Sequence, residues 1–107
     1  LTGKLTLESK WPHGDWRNTY FVPENLKASV ERAERLRPLI PQGHSMPEIA
    51  LRFILNNPVV STVIPGMRKL HHVEENIRAG ELGPLDDGLM DALRAHRWDR
   101  TPTRWSQ

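Results

Sequence analysis

The sequence predicts an α/β fold that is mostly helical and has one clear strand of the parallel type. Residues 59–64 form a nearly continuous apolar run, which suits a parallel strand buried on both faces. Segments with the apolar spacing of helices lie before and after it. Because one strand cannot satisfy its own backbone hydrogen bonds, we expect its sheet partners to come from elsewhere. This order is typical of a segment of a βα protein, either a barrel or an open sheet.

The composition is that of a soluble protein, with 37% hydrophobic and 26% charged residues among 107. No apolar run approaches the roughly 20 residues that a membrane helix needs, which excludes a membrane span. The absence of Cys removes disulfides, thiolate catalysis and cysteine-based zinc sites, and is compatible with a cytoplasmic location. The net charge of +2 is too small to indicate a polyanionic partner by itself.

The first 23 residues predict a long loop, because Gly3, Pro12 and Gly14 interrupt them and no periodicity is sustained. Long loops of this sort often cover a ligand. The sequence begins at Leu1 on this loop-like stretch, without an initiator Met. We therefore expect it to be a piece of a longer chain.

The first helix is predicted from about residue 24. Pro23 suits a helix start and Pro38 a helix end. One face of this segment carries apolar side chains at helical spacing, namely Leu26, Val30, Ala33 and Leu36.

The second helix is predicted from Ser45 to about Asn56. Ser45 supplies an N-cap hydroxyl and Glu48 follows three residues later, which together make a capping box. The helix is apolar nearly all round and leaves only Glu48, Arg52 and Asn56 for water. A helix of this kind is typical of one packed between other layers.

Two further helices are predicted after the strand. The third has an inner face of Leu70, Val73 and Ile77 and ends at Gly80. The fourth is outlined, despite a glycine at position 88, by Leu85, Leu89, Met90 and Leu93.

The turn between the strand and the third helix is the most informative feature for function. The strand stops at Pro65 and Gly66, and the amphipathic helical segment follows. A helix N-terminus exposes backbone N–H groups and favours an anion, and here Arg68 and Lys69 add positive charge. This pattern predicts a phosphate-bearing ligand.

Three stretches, taken in order, carry a family resemblance: Leu1-Thr2-Gly3-Lys4, Ser45-Met46-Pro47-Glu48-Ile49-Ala50-Leu51-Arg52-Phe53, and Val63-Ile64-Pro65-Gly66 followed by Glu74-Glu75-Asn76. Together they resemble the C-terminal third of an aldo-keto reductase, over nearly the whole chain. The resemblance implies a C-terminal fragment of a (β/α)8 TIM barrel whose remaining N-terminal part is a partner. It divides the chain into a cofactor-covering loop at 1–23, two helices at 24–57, the last barrel strand at 59–64, the cofactor-binding and C-terminal helices at 68–96, and a tail at 97–107.

The resemblance also implies a cofactor and a reaction. The family uses a reduced nicotinamide, usually NADPH, to reduce aldehydes or ketones by hydride transfer. By the resemblance, the cofactor is NADP and the other ligand is a small carbonyl or alcohol substrate. The cofactor contacts carried over to this sequence are Lys4, Arg17, Gly66, Met67, Arg68, His72, Glu75 and Asn76.

The resemblance gives individual roles to the residues after the strand. Gly66 would let the backbone approach the cofactor, and Arg68 would contact the 2′-phosphate of the adenosine. Glu75 and Asn76 would hydrogen-bond the adenine. His72 stands where many members have Arg or Gln touching the 2′-phosphate or the adenine.

Two more contacts come from the N-terminal loop. By the resemblance, Lys4 would reach the pyrophosphate and Arg17 would belong to a loop that folds over the cofactor. The family's catalytic Tyr, Lys, Asp and His lie in the first half of the barrel, outside this sequence, and Tyr20 lacks their surrounding pattern. We therefore predict no catalytic residue here, and expect this chain alone to bind at most the adenine half of the cofactor without turnover.

Other interpretations remain open. The first two helices and the turn at 41–44 also resemble a helix-turn-helix, although the second helix offers few polar residues for base edges, which makes nucleic acid the less favoured partner. A non-catalytic interaction subunit of the same fold is a third possibility. His71 and His72 do not predict a metal site, because adjacent helical residues point about 100° apart.

The four tryptophans occur only in the N-terminal loop and the tail, at Trp11, Trp16, Trp98 and Trp105. They line a substrate pocket or anchor those segments, and the sequence does not choose between the two.

Overall fold

The computed structural model describes residues 2–99, and within them the chain is helical. Five α-helices and one 3₁₀ turn follow one another: α1 Arg17–Tyr20, α2 Pro23–Leu36, the 3₁₀ turn Arg37–Leu39, α3 Met46–Leu55, α4 Leu70–Glu81 and α5 Asp87–Arg94. No helix in this part of the chain is both long enough and apolar enough to cross a membrane.

Local sequence signals set the helix starts. Pro23 occupies the first turn of α2, where its missing N–H costs nothing. The Ser45 hydroxyl accepts from the Glu48 N–H at 3.2 Å and caps α3, which is one half of the predicted capping box. The other half does not form, because the Glu48 carboxylate bonds to His44 and Arg52 instead of the Ser45 N–H. Asp86 caps α5 in the same way, because its carboxylate accepts from the Leu89 N–H at 2.9 Å.

The predicted strand at residues 59–64 is wrong, since no residue between 2 and 99 lies in a strand. The Val60 N–H donates to the Asn57 carbonyl at 2.9 Å, which closes a turn where the strand should begin. Val59 and Ile64 are 85% and 94% exposed. An apolar run becomes a strand only when a neighbouring strand pairs with its backbone, and the described residues supply none. The α/β fragment of a (β/α)8 barrel is therefore replaced by a helical fold.

The core lies where α3, α5 and the 3₁₀ turn meet. Ile49 is 2% exposed and packs with the buried Leu85 and Met90. Three half-buried side chains complete this cluster: Ile40, Leu89 and Leu93. The apolar residues predicted for the fourth helix therefore face the core. Leu85 does so from the loop before α5, and Leu89, Met90 and Leu93 do so from α5 itself.

The third predicted helix buries only part of the face expected, because Val73 is half-buried but its two larger neighbours on that face are exposed. Leu70 and Ile77 were expected on the inner face, but they are 75% and 57% exposed. Ala79 is buried instead, with His72 and Asn76 half-buried on the same stripe of α4. A small residue lets two helices approach closely, so α4 packs against α3 through this stripe rather than through its larger apolar residues.

The N-terminal loop is more ordered than the sequence predicted. It contains the single helical turn α1, and the Trp11 ring stacks on the Phe21 ring with centroids 5.2 Å apart. The predicted polar tail at 97–107 lies mostly outside the described residues, which end at position 99.

Candidate functional site

Positive side chains gather at the start of α4. The pKa of His72 is lowered, first by partial burial and then by repulsion from His71, Lys4 and Lys69. Glu75 acts in the opposite direction and raises it. The charge of Lys4 therefore reaches α4, although 68 positions separate it from His72. We call Lys4, Lys69, His71 and His72 the α4 cationic cluster.

The N-terminal segment is held at Gly3 by contacts with Arg37 and Met46. Gly3 adopts a φ of +65°, a region that residues with a Cβ rarely enter. A Cβ placed on it would also lie 3.6 Å from both the Arg37 guanidinium and the Met46 sulfur. The Arg37 side chain donates to the Gly3 carbonyl at 3.5 Å. These contacts fix the backbone immediately before Lys4.

The segment before α4 is held to the helix by one side chain. The Asn76 amide nitrogen donates to the Gly66 carbonyl at 3.4 Å, so the extended segment around Gly66 lies beside α4. Gly66 itself faces open space, because no heavy atom lies within 4 Å of the position that a Cβ would take there.

Two predicted contact residues lie exposed beside the turn. Met67 is 50% exposed, and Arg68 is exposed and makes no hydrogen bond or ion pair with residues 2–99. Glu75 is also exposed, while Asn76 is half-buried. Six of the eight predicted contact residues thus lie in one stretch of chain on and just before α4: Gly66, Met67, Arg68, His72, Glu75 and Asn76.

Arg17 is the predicted contact that lies apart. Its guanidinium donates to both Asp15 carboxylate oxygens, at 2.9 and 2.6 Å, and lies over the Trp11 ring 5.7 Å from its centre. Hydrogen bonds from Arg17 lower the pKa of Asp15 to about 2, so this ion pair persists throughout the neutral range. Arg17 is therefore engaged within its own loop.

A buried polar network joins α3 to α4 and was missed by the sequence analysis. Glu48 and Arg52 were expected to face water, but they are 5% and 9% exposed. The Glu48 carboxylate is hydrogen-bonded to His44 Nδ1, accepts from Arg52 at 3.3 Å, and lies 3.8 Å from Arg78 Nε. The only sequence signal for this network is the spacing of four between Glu48 and Arg52 on an otherwise apolar helix.

This network also bears on the helix-turn-helix alternative. α3 stands in the place of the recognition helix, and two of its few polar side chains, Glu48 and Arg52, are buried. Base readout needs several exposed polar groups on one helix. The arrangement of α3 therefore argues against that alternative.

Two open grooves lie away from the α4 cationic cluster. The first, of about 610 Å³, is lined mainly by apolar side chains that include Met46, Ile49 and Phe53. The second, of about 640 Å³, lies between α2 and the N-terminal segment and is lined in part by Tyr20 and Trp98. Neither groove is lined by Arg68, Glu75 or Asn76.

The described tryptophans differ in how they pack, and Trp16 is 65% exposed. Trp11 stacks on Phe21, and Trp16 meets the Tyr20 ring edge to face at 6.0 Å. Trp98 lies under the Arg32 guanidinium at 4.5 Å and also lines the second groove. Trp105 falls outside the described residues. Within residues 2–99, no group of three or more His, Asp or Glu side chains is placed to hold a metal ion.

The start of α4 therefore combines open space beside Gly66 with the exposed basic side chains of Arg68 and Lys69. Comparison with known families gives the class of protein: the family model described as the aldo/keto reductase family matches residues 4–97. The chain belongs to the aldo/keto reductase family, whose members are oxidoreductases that use nicotinamide cofactors. No curated protein and no solved structure matches the chain.

The donor set at the start of α4 fits the adenine half of such a cofactor. Ammonium, guanidinium and imidazole groups bind phosphate, and they are supplied here by Lys4, Arg68 and His72. Carboxylate and amide groups can pair with the amine and ring nitrogens of adenine, and Glu75 and Asn76 supply them. The open space beside Gly66 leaves room for the ligand.

Proposed function

We propose that this chain is the cofactor-binding part of an NADP-dependent aldo-keto reductase that reduces aldehydes or ketones. The observation that carries the proposal is the exposed Arg68, which has no hydrogen bond or ion pair in the described residues and follows a Gly66 that has open space around it. NADP and NAD differ by a single 2′-phosphate, and a surplus of positive charge at the adenosine site favours the cofactor that carries it.

The proposed roles follow from where each side chain lies. Arg68 is exposed beside the turn without an ionic partner in the described residues, so its guanidinium is available to the 2′-phosphate. Glu75 and Asn76 pair with the adenine edge. The backbone at Gly66 and Met67 lies against the adenosine, where no side chain blocks its approach.

The reaction itself belongs to the parent protein. When bound, NADPH supplies the hydride that reduces the substrate carbonyl. The residues of this chain hold the adenosine and its phosphate, while the N-terminal part of the parent supplies the catalytic side chains. Large apolar residues exposed on this chain, among them Val59, Ile64 and Leu70, are the proposed contacts with that partner. We propose that the chain alone binds cofactor without turning over substrate.

Replacing Arg68 with Ala should weaken NADP⁺ binding about tenfold and leave NAD⁺ binding nearly unchanged. A charge-assisted hydrogen bond to a phosphate contributes about 1.5–3 kcal/mol, and NAD⁺ has no 2′-phosphate to lose it. Isothermal titration of both nucleotides into the chain at low ionic strength measures the effect.

The matched control for this titration is Arg35→Ala, which removes an exposed arginine from a different helix. It should leave both affinities unchanged. Equal loss of NADP⁺ and NAD⁺ binding in the Arg68 variant, or no loss of either, would show that Arg68 does not contact the 2′-phosphate.

A further inference from the structure

Residues 59–64 combine exposed apolar side chains with a high propensity for strand formation. Val59 and Ile64 are 85% and 94% exposed. Five of the six residues in the segment are β-branched, and residues of this class are favoured in strands. The segment contains neither Pro nor Gly and carries no charge. Short segments of this composition pair readily with other chains when they are exposed.

The backbone of this segment has few partners within the chain. Among residues 2–99, no backbone N–H or carbonyl of residues 61–65 makes a hydrogen bond. The N–H groups of Val59 and Val60 differ, because both donate to Asn57. A row of free donors and acceptors is the feature through which sheet edges bind further strands. The free backbone therefore begins one residue after Val60.

The distribution of charge indicates which kind of chain can pair here. No charged residue lies between Arg52 and Arg68. Two copies of one chain bring identical charges together, and repulsion between like charges opposes such pairing. That cost is absent in this stretch. An uncharged stretch also offers no counter-charge to an acidic or basic partner, so a second copy of the same stretch matches it best.

We propose that two copies of this chain associate by pairing residues 60–64 as antiparallel strands around Thr62. A closed pair of identical strands has a twofold axis, and this axis places one residue opposite its own copy. With Thr62 in that position, Val60 lies opposite Ile64 of the second copy. Pairs of Thr and pairs of β-branched side chains that face one another across two strands stabilise the pairing.

The free backbone groups select this register. When Thr62 forms a non-hydrogen-bonded pair with its copy, the hydrogen bonds between the strands join Ser61 of each chain to Val63 of the other. None of these N–H and carbonyl groups is bonded within residues 2–99. A pair centred on Ser61 would instead direct toward the second copy an N–H of Val59 or Val60, which is already bonded within its own chain.

The proposed pair is short, and we expect the association to be weak. Pro58 and Pro65 bound the segment and have no N–H with which to extend the pairing. A stable interface takes about 20–30 residues from each partner, which is several times the length of this segment. Two chains should therefore associate at concentrations of about 0.1–1 mM and separate at about 1 μM.

This surface overlaps with one proposed above. Val59 and Ile64 are also proposed contacts with the N-terminal part of the parent protein. A second copy and that part therefore compete for the same residues, and the chain self-associates only where they are uncovered. The pairing involves none of the residues proposed to bind the nucleotide, so its test is independent of the proposed function.

Opposite charges at position 62 test both the pairing and its register. Thr62→Glu and Thr62→Lys should each abolish self-association, because like charges then meet across the twofold axis. An equimolar mixture of the two variants should associate, because opposite charges then meet there. Sedimentation equilibrium measures the mass, which is 12.3 kDa for one chain. In the native chain and in the mixture, it should rise toward twice that value as the concentration approaches about 1 mM.

The matched control places the same charges one residue earlier, in Ser61→Glu and Ser61→Lys. Ser61 lies opposite Val63 in the proposed register and not opposite its own copy, so mixing these two variants should restore much less association. Circular dichroism should show that all four variants keep their helices, because the side chains of Ser61 and Thr62 are both exposed.

Two results would overturn the proposal. The first is a native chain that keeps the mass of one chain at about 1 mM. The second is a mixture of the two Thr62 variants that associates no more than either variant alone, because self-association would then use another surface or another register.

Discussion

Replacing Arg52 with Met should lower the free energy of unfolding by about 3 kcal/mol, because it breaks a buried ion pair and leaves the acceptors of Arg52 without a donor. Arg52 donates to the carbonyls of Gly83 and Pro84, both at 3.0 Å, and to Glu48 at 3.3 Å. It therefore ties α3 to the loop that leads into Leu85 of the core. Met fills a similar volume but offers none of these donors.

The matched control is Arg94→Met, which breaks an ion pair with Asp91 between side chains that are both largely exposed. Exposed pairs of this kind contribute about 0–1 kcal/mol, so this variant should unfold almost like the native chain. Urea denaturation followed by circular dichroism compares the two. Equal unfolding midpoints for the Arg52 and Arg94 variants would contradict a structural role for the buried network.

A double variant, Glu48→Gln with Arg52→Met, sharpens this test. Removing one partner of a buried pair leaves the other charge uncompensated, whereas neutralising both removes that cost. The double variant should therefore be destabilised by less than the sum of the two single variants. Strict additivity would show that the two side chains do not act on one another.

The second large effect is expected at Ile49. Ile49→Ala should lower the free energy of unfolding by about 3–4 kcal/mol, which is a large part of the stability of a small domain. Ile49 is 2% exposed and is the side chain on which α3 packs against Leu85 and Met90. The deletion leaves a cavity at the point where three elements meet.

Ile64→Ala is the matched control, because the same substitution is made at a residue that is 94% exposed. Its effect should stay within about 0.5 kcal/mol. Urea denaturation again gives the difference. A loss at position 64 as large as the loss at position 49 would mean that residues 59–64 pack in solution and that the core is not where the structure has it.

The helices that the sequence predicted well are those whose signals are local. α3 begins after Ser45 because the Ser45 hydroxyl accepts from the Glu48 N–H and caps the helix. α2 likewise begins at Pro23 and needs no distant partner to do so. Each of these signals involves only a few neighbouring residues. The start of such a helix can therefore be predicted from the sequence without knowing what the helix packs against.

The strand and the helix faces depend on partners, and there the predictions failed. The apolar run at 59–64 suits a buried strand, but nothing in the described residues pairs with it. On α4 the larger apolar residues Leu70 and Ile77 predicted the inner face, yet the helix packs through Ala79. Hydrophobicity alone does not distinguish a face that meets α3 from one that lies exposed.

In the candidate site, too, the local features were predicted from the sequence and the contacts between distant residues were not. Residues 66–76 were predicted as a unit because the turn and the helix are adjacent in sequence. The contact of Gly3 with Arg37 joins residues 34 positions apart, which no short-range pattern contains. Arg17 was placed at the cofactor by the resemblance, whereas Asp15, two residues before it, engages its guanidinium.

The most direct test of the central claim is to map where NADP⁺ binds by following the backbone amide NMR signals of the isotopically labelled chain. The account predicts that the shifts concentrate at Lys4 and between Gly66 and Asn76, and that NAD⁺ perturbs Arg68 and His72 less than NADP⁺ does. Shifts confined to the apolar groove around Met46 and Phe53, or none at saturating NADP⁺, would contradict it.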